Sequence, residues 1–111
     1  MGLVESLQSP AEHVLEPRHH DPGLGIAGAD AAIAVSQAMV KIAEAEVEKT
    51  RLDLDREKSL MKQNATSQAQ YDAAVAAADA AKASLESAKA NVGAARAEKL
   101  SAEAALAQAQ L

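Results

Sequence analysis

Aromatic and cysteine side chains are almost missing from this chain of 111 residues, which has one tyrosine and no phenylalanine, tryptophan or cysteine. A globular core normally contains several aromatic residues because each buries a large area, so a compact globule is not expected. The absence of cysteine excludes disulfides and thiolate metal sites. The sequence also shows no apolar run approaching the ~18 residues that a membrane span needs.

Positive charge is scarce as well. The chain has 11 Lys and Arg against 16 Asp and Glu, a formal net charge of −5. This balance argues against a nucleic-acid partner, which would require a basic stripe. The N-terminus lacks a charged region followed by an apolar one, so no signal peptide or membrane anchor is visible.

Proline and glycine are confined almost entirely to the beginning of the chain. All three prolines and four of the five glycines fall within the first 28 residues, and Asp21-Pro22-Gly23 is typical of a turn. We therefore expect residues 1–28 to be irregular, apart from a short helix that Ser9 and Pro10 could start. The remaining glycine, Gly93, is interpreted as a tolerated residue on a helix surface.

Alanine is the residue that the chain has in abundance. It occupies eighteen of the forty positions from Asp72 to Leu111. Alanine has the highest helix propensity but little bulk with which to fill a core. Long helices paired along a narrow seam are therefore the expected architecture.

A heptad repeat runs through residues 29–62, the first predicted helical arm. One position of the repeat is always bulky and apolar, which is typical of a coiled-coil seam. We assign it as a, and its members are Ile33, Val40, Val47, Leu54 and Met61. The d position, three residues later, is small or polar: Ser36, Ala43, Thr50 and Glu57.

A turn at residues 63–67 separates this arm from a second one at residues 68–111. Asn64 tolerates the left-handed backbone that ends helices, and Ser67 with Gln70 forms a capping-box pattern. The second arm has alanine at every d position, namely Ala74, Ala81, Ala88, Ala95, Ala102 and Ala109, and its a positions are Tyr71, Ala78, Leu85, Val92, Lys99 and Leu106.

These repeats predict an all-α fold, an antiparallel two-helix coiled-coil hairpin with an irregular N-terminal segment. Antiparallel pairing places a opposite d, so each bulky residue of arm one meets an alanine of arm two. The expected layers are Leu54 with Ala74, Val47 with Ala81, Val40 with Ala88, and Ile33 with Ala95. A slip of one heptad gives the same large-on-small pairing, so only the turn selects the register. So thin a core is marginal by itself.

No arrangement of residues indicates catalysis, a cofactor or a metal. His13, His19 and His20 lie in the N-terminal segment, and His19-His20-Asp21 makes only a weak metal-binding pattern. The acidic residues between 44 and 57 alternate with lysine and arginine, which predicts a solvated, salt-bridged helix surface. The chain is therefore not expected to be an enzyme.

Three residues near the turn admit two interpretations. Arg56, Leu60 and Ser67 offer a cation, an apolar side chain and a hydroxyl near one end of the hairpin, which suits end-on docking to another helical pair. Alternatively, Arg56 is a salt-bridge partner, Leu60 a flank residue of the coiled coil, and Ser67 a helix cap. Spacing alone favours neither.

At these residues the sequence resembles the α-hairpin of periplasmic adaptor subunits, the HlyD-like membrane fusion proteins of tripartite efflux pumps and type I secretion systems. The family's tip motif is an Arg, a Leu four residues later and a Ser seven after that, matched here by Arg56, Leu60 and Ser67. The pattern that follows, Tyr-Asp-x-Ala, is matched from Tyr71 to Ala74. The chain departs from the pattern at Thr66, usually Ile or Val, and at Gln70, usually Glu.

The resemblance covers residues 29–111 and implies a non-enzymatic bridge without a cofactor. Arg56, Leu60 and Ser67 would contact an outer-membrane channel, copies would associate side by side, and an inner-membrane transporter would be engaged through lipoyl and barrel domains that this sequence lacks. The protein would then be periplasmic and associated with the inner membrane, and the chain a fragment. The alternative is a free-standing, alanine-rich structural or protective helical protein.

Overall fold

Two long helices make up the part of the chain that can be described. A computed structural model describes the backbone of residues 22–110 and the side chains of residues 25–110. Helix α1 spans Pro22–Lys62 and helix α2 spans Gln68–Gln110, and the two pack along each other. The predicted all-α hairpin is confirmed, with the turn at the predicted residues. Residues 1–21, including the three histidines and the predicted helix at Ser9, lie outside the described residues, as does Leu111.

The beginning of α1 corrects the prediction that residues 1–28 are irregular. The helix starts at Pro22 and so includes Gly23, Gly25 and Gly28. Proline is favourable in a first helical turn, where its missing N–H has no partner in any case. The heptad also extends one repeat earlier than predicted, because Ile26 and Ala29 are half-buried at a and d positions. Seam packing outweighs the cost of the glycines.

The seam follows the predicted heptads. Each a and d residue from Ile26 to Leu106 is at least partly covered, whereas Ala109 is exposed near the open end. The most buried residues are Ala78, Ala81, Ala88 and Val92 in α2 and Thr50 in α1. Bulky side chains of α1 therefore pack on a surface of alanine methyl groups.

Thr50 shows how a polar residue is accommodated in this seam. It is 5% exposed, and its hydroxyl lies 2.9 Å from the carbonyl oxygen of Glu46 and 3.0 Å from that of Val47. A hydroxyl that donates back into its own helix needs no partner from the other helix. The polar d position is therefore satisfied locally.

An ion pair near the open end establishes the register of the two helices. The Nζ of Lys99 lies 2.9 Å from Oδ1 of Asp30, the only ion pair between α1 and α2 within residues 25–110. The predicted layer of Ile33 and Ala95 lies one helical turn away from this pair. A slip of one heptad would separate Asp30 from Lys99 by about 10 Å. The register selected by the turn is therefore the predicted one.

The same pair explains a lysine at an a position of the seam. The hydrogen bond to Asp30, followed by the attraction of its charge, raises the pKa of Lys99. Glu103 adds a weaker attraction from 3.8 Å. The aliphatic stem of Lys99 covers the seam while its ammonium reaches the edge.

We expect Asp30→Asn to lower the pKa of Lys99 towards its ordinary value. Because the pKa is raised in the folded chain, the stabilisation from this pair is present below pH 10.5 and is lost as the pH rises through the folded-state pKa. An NMR titration of the Lys99 side chain measures the change. Glu103→Gln, which removes the weaker partner, should lower the pKa less. Identical titrations in wild type and Asp30→Asn would contradict the register.

The surface of the hairpin corrects one expectation and agrees with another. The stretch Gly25–Lys62 is long and apolar enough to cross a membrane by length and composition, and it is largely exposed. The expectation that no such stretch exists is therefore wrong, although soluble core helices and signal sequences share this property.

A Cβ added to Gly93 would meet nothing within 4 Å, which agrees with a surface glycine.

Candidate docking tip

The turn at the tip is held by a complete set of backbone hydrogen bonds. The N–H of Ala65 donates to the carbonyl of Leu60 at 2.8 Å, and the N–H of Asn64 donates to that of Met61 at 3.1 Å. Asn64 has a φ of 55°, in the left-handed region. This is the Schellman arrangement, which satisfies the last carbonyls of a helix. The prediction that Asn64 ends α1 in this conformation is confirmed.

Ser67 caps the second helix as predicted. Its Oγ accepts the backbone N–H of Gln70 at 3.1 Å, and its carbonyl accepts that of Tyr71 at 3.1 Å. The reciprocal half of the predicted capping box is not formed, because the Gln70 side chain is engaged by Thr66 instead. The Thr66 hydroxyl donates towards Oε1 of Gln70 at 2.6 Å.

Thr66 joins the turn to α1 through a short polar chain. Its hydroxyl also lies 2.7 Å from Oε2 of Glu57. Both partner atoms are acceptors, so the single hydroxyl hydrogen of Thr66 is donated either to Oε2 of Glu57 or to Oε1 of Gln70. Thr66 and Gln70 are the two departures from the adaptor pattern, and the structure couples them in one network.

Arg56 is exposed near the tip end of α1. Its side chain is 66% exposed, and its Nη1 lies 3.2 Å from Oδ1 of Asp53 on the previous turn. An ion pair this exposed contributes little to stability. Most of the guanidinium therefore faces solvent, with donors available to another carboxylate.

Leu60 lies one turn after Arg56 on the same side of α1 and is only partly exposed. Its carbonyl accepts the N–H groups of both Gln63 and Ala65, so its backbone is fixed by the turn. Ser67 is exposed and caps α2, which begins at the next residue, Gln68. The fold thus places all three residues near the same end of the hairpin, although no hydrogen bond joins them within the described part of the chain.

Each of the three residues also has the structural role that the sequence left open. Arg56 forms a salt bridge, Leu60 is a flank residue and Ser67 is a cap. Arg56 and Ser67 nevertheless remain exposed, so their structural roles leave polar atoms accessible. The two interpretations are compatible.

The carboxylates of α1 form a salt-bridged surface, as the sequence predicted. Arg51 bridges Glu48 at 2.7 Å and Asp55 at 3.0 Å. The hydrogen bond that Arg51 donates lowers the pKa of the Glu48 carboxyl, and the same bond raises the pKa of Arg51. Residues 25–110 contain no group of three His, Asp or Glu side chains that could hold a metal ion.

Comparison with known proteins adds no relative. The chain matches no protein family model, no curated protein and no solved structure.

Two features of the hairpin were missed by sequence reasoning. One is the network of Thr66, Glu57 and Gln70, which depends on how the turn folds back on α1. The other is a set of exposed apolar side chains on α1, namely Val35, Met39 and Ile42. Their spacing of four and three residues places them on one face of a helix, a signal that was available in the sequence.

Proposed function

We propose that this chain is the docking hairpin of a periplasmic adaptor, a non-enzymatic bridge between an inner-membrane transporter and an outer-membrane channel. The observation that carries the proposal is the tip, where Arg56 and Leu60 lie in the last turns of α1, Ser67 caps α2, and the turn between them is fixed by its own hydrogen bonds. An efflux pump and a type I secretion system are both consistent with this tip.

The hairpin would act by setting a distance. Helix α1 has 41 residues and therefore spans about 60 Å at 1.5 Å per residue. A paired rod of this length would hold its tip away from the body to which the open end is attached. Because the turn is already ordered, docking would cost little further conformational entropy.

The tip offers chemistry suited to a helical partner. Arg56 has donors for a carboxylate on the channel, and Leu60 supplies the apolar contact beside it. The Oγ of Ser67 accepts the N–H of Gln70, and its own hydrogen can donate to an oxygen of the channel. The partner predicted by this chemistry is a helical end with exposed acceptors and a small apolar recess.

We expect Leu60→Asp and Arg56→Asp each to abolish association with the outer-membrane channel encoded by the same organism. A carboxylate would replace the apolar contact in the first variant and reverse the charge in the second. Pull-down of the purified channel by immobilised hairpin measures the association. Leu52→Asp is the matched control, because Leu52 is 50% exposed on the same helix but two turns from Leu60.

Circular dichroism of all three variants separates a docking effect from unfolding. The proposal expects wild-type helicity in each, retention of the channel by wild type and Leu52→Asp, and its loss with the two tip variants. Equal retention by the tip variants, or no retention by the wild type, would contradict the proposed function.

A further inference from the structure

The two broad faces of the hairpin differ sharply in charge along its open half. The e positions of the heptad are four residues after each a position, and the g positions are one residue before each a position. In an antiparallel pair the e positions of both helices lie on one face and the g positions on the other. The lining of a groove between the helices on the first face combines apolar residues such as Val40 and Val92 with Gln37, Lys41, Glu44, Lys89 and Arg96. We call this the charged face.

The opposite face carries almost no charge over the same length. We call it the low-charge face, and its members on α1 are Gly28, Ala32, Val35, Met39 and Ile42, and on α2 Ser84, Ser87, Asn91, Ala94, Glu98 and Ser101. Glu98 is its only charged residue. The side chains of Val35, Met39 and Ile42 are 59%, 55% and 65% exposed. A contiguous apolar surface of this kind marks an interaction site.

From these faces we infer that two copies of the hairpin pair through their low-charge faces, in antiparallel orientation, about a two-fold axis near Val35. A two-fold axis across the rods places α1 on α1 of the second copy. Val35 then meets Val35, Ile42 meets Gly28, and Met39 meets Ala32. The open halves overlap and the two tips lie at opposite ends.

A shallow groove in the low-charge face fits this arrangement. It runs between the helices near the open end, and its lining includes Gly25, Gly28, Ala32, Ala95 and Ser101. A Cβ built on Gly25 or Gly28 would meet no atom within 4 Å outside the adjoining backbone of its own helix. Ile42 and Met39 of the second copy reach this groove, so large side chains again pack on small ones, as they do in the seam.

The arrangement of charges selects the antiparallel orientation. A parallel pair would place α1 on α2 of the second copy, where Val35 and Ile42 would face the polar residues Ser87 and Asn91. It would also cover Glu46 and Lys49, which continue the same side of α1 towards the tip. Burying unpaired charges is costly. In the antiparallel pair Lys49 and the charged residues nearer the tip extend beyond the other copy into water. Glu46 lies at the edge of the overlap, and Glu98 is the one charge of the low-charge face that the pairing covers.

The area is sufficient for a stable dimer. The overlap covers about 27 residues of α1, or roughly 40 Å, across two helices that are together about 20 Å wide. That is on the order of 800 Å² per copy, the usual size of a specific interface. The pairing differs from the same-direction sheath implied by the adaptor resemblance and does not depend on the proposed function, because the tips lie outside the overlap.

Analytical ultracentrifugation of the full chain at tens of micromolar tests the pairing. We expect a species of twice 11.4 kDa. Val35→Glu and Ile42→Glu should each raise the dissociation constant at least about a hundredfold, because a carboxylate would lie at the centre of the interface. Leu52→Glu is the matched control, because Leu52 is another exposed apolar residue of α1 that lies off this face. It should leave the dimer unchanged. Circular dichroism should show full helicity in all three.

A single spin label at Gln63→Cys tests the orientation. Antiparallel pairing predicts roughly 80 Å between the two tips, whereas parallel pairing predicts less than about 30 Å. A wild-type monomer, a larger oligomer, a dimer insensitive to Ile42→Glu, or the short tip distance would overturn the inference. If the wild type instead floats as a monomer with phosphatidylcholine–phosphatidylglycerol vesicles and Val35→Glu abolishes the flotation, the inference is overturned and the face binds a lipid surface.

Discussion

Ala81→Asp is expected to unfold the hairpin at room temperature. Ala81 is 5% exposed at a d position of α2, opposite Val47 in the predicted layer. A carboxylate there would be buried between two helices without a cation to pair with. An uncompensated buried charge costs about 3–5 kcal/mol, which is as much as the core of so small a domain supplies.

Circular dichroism during a thermal melt measures this effect, and Ala80→Asp is its control. Ala80 is exposed on the same turn of α2, so the control has the same change in charge and helix propensity. We expect Ala80→Asp to melt within a few degrees of wild type and Ala81→Asp to lack a cooperative transition. Similar melts for the two variants would show that the helices do not meet at the alanine seam.

Asn64→Val is expected to lower the free energy of unfolding by about 1–2 kcal/mol. The φ of 55° at Asn64 is tolerated by asparagine and favours glycine, but a β-branched side chain there collides with the backbone. For a domain of this size, 1 kcal/mol corresponds to a shift of about 4–8 °C in Tm. The decrease in Tm should therefore be readily measured by differential scanning calorimetry.

Two further variants isolate the backbone effect at the turn. Asn64→Gly should hold or raise the Tm, because glycine adopts a positive φ without strain. Gln63→Val makes the same change of side chain one residue earlier, where φ is not positive, and should be nearly neutral. Equal losses from Asn64→Val and Gln63→Val would contradict the left-handed turn.

The features that depend on local rules could be predicted from the sequence. Periodicity alone gave the seam, because a bulky residue every seven positions has only one face of a helix on which to lie. Asn64 and Ser67 each satisfy a specific backbone need at a helix end, so the turn was placed correctly. The register followed, since a short turn leaves the two arms no freedom to slide.

The features that depend on competition between elements could not be predicted in the same way. Pro22 and its neighbouring glycines indicated a turn, yet seam packing by Ile26 and Ala29 extends the helix through them. The capping box at Gln70 failed because Thr66, a residue outside that pattern, offers the amide another partner. At the tip, the salt bridge of Arg56 and the helix cap of Ser67 are confirmed, whereas docking through Arg56, Leu60 and Ser67 stays a prediction.

The distance between the two arms is the most direct test of the hairpin on which everything else depends. The chain has no native cysteine, so Ala34→Cys with Ala94→Cys, both at exposed positions, allows clean spin labelling. Diluting the labelled chain into an excess of unlabelled chain restricts the signal to pairs within one molecule. A fold-back at Asn64 predicts labels within about 30 Å of each other, given helices packed 8–10 Å apart. A separation near 90 Å, which one unbroken helix of sixty residues would give, would contradict the fold-back.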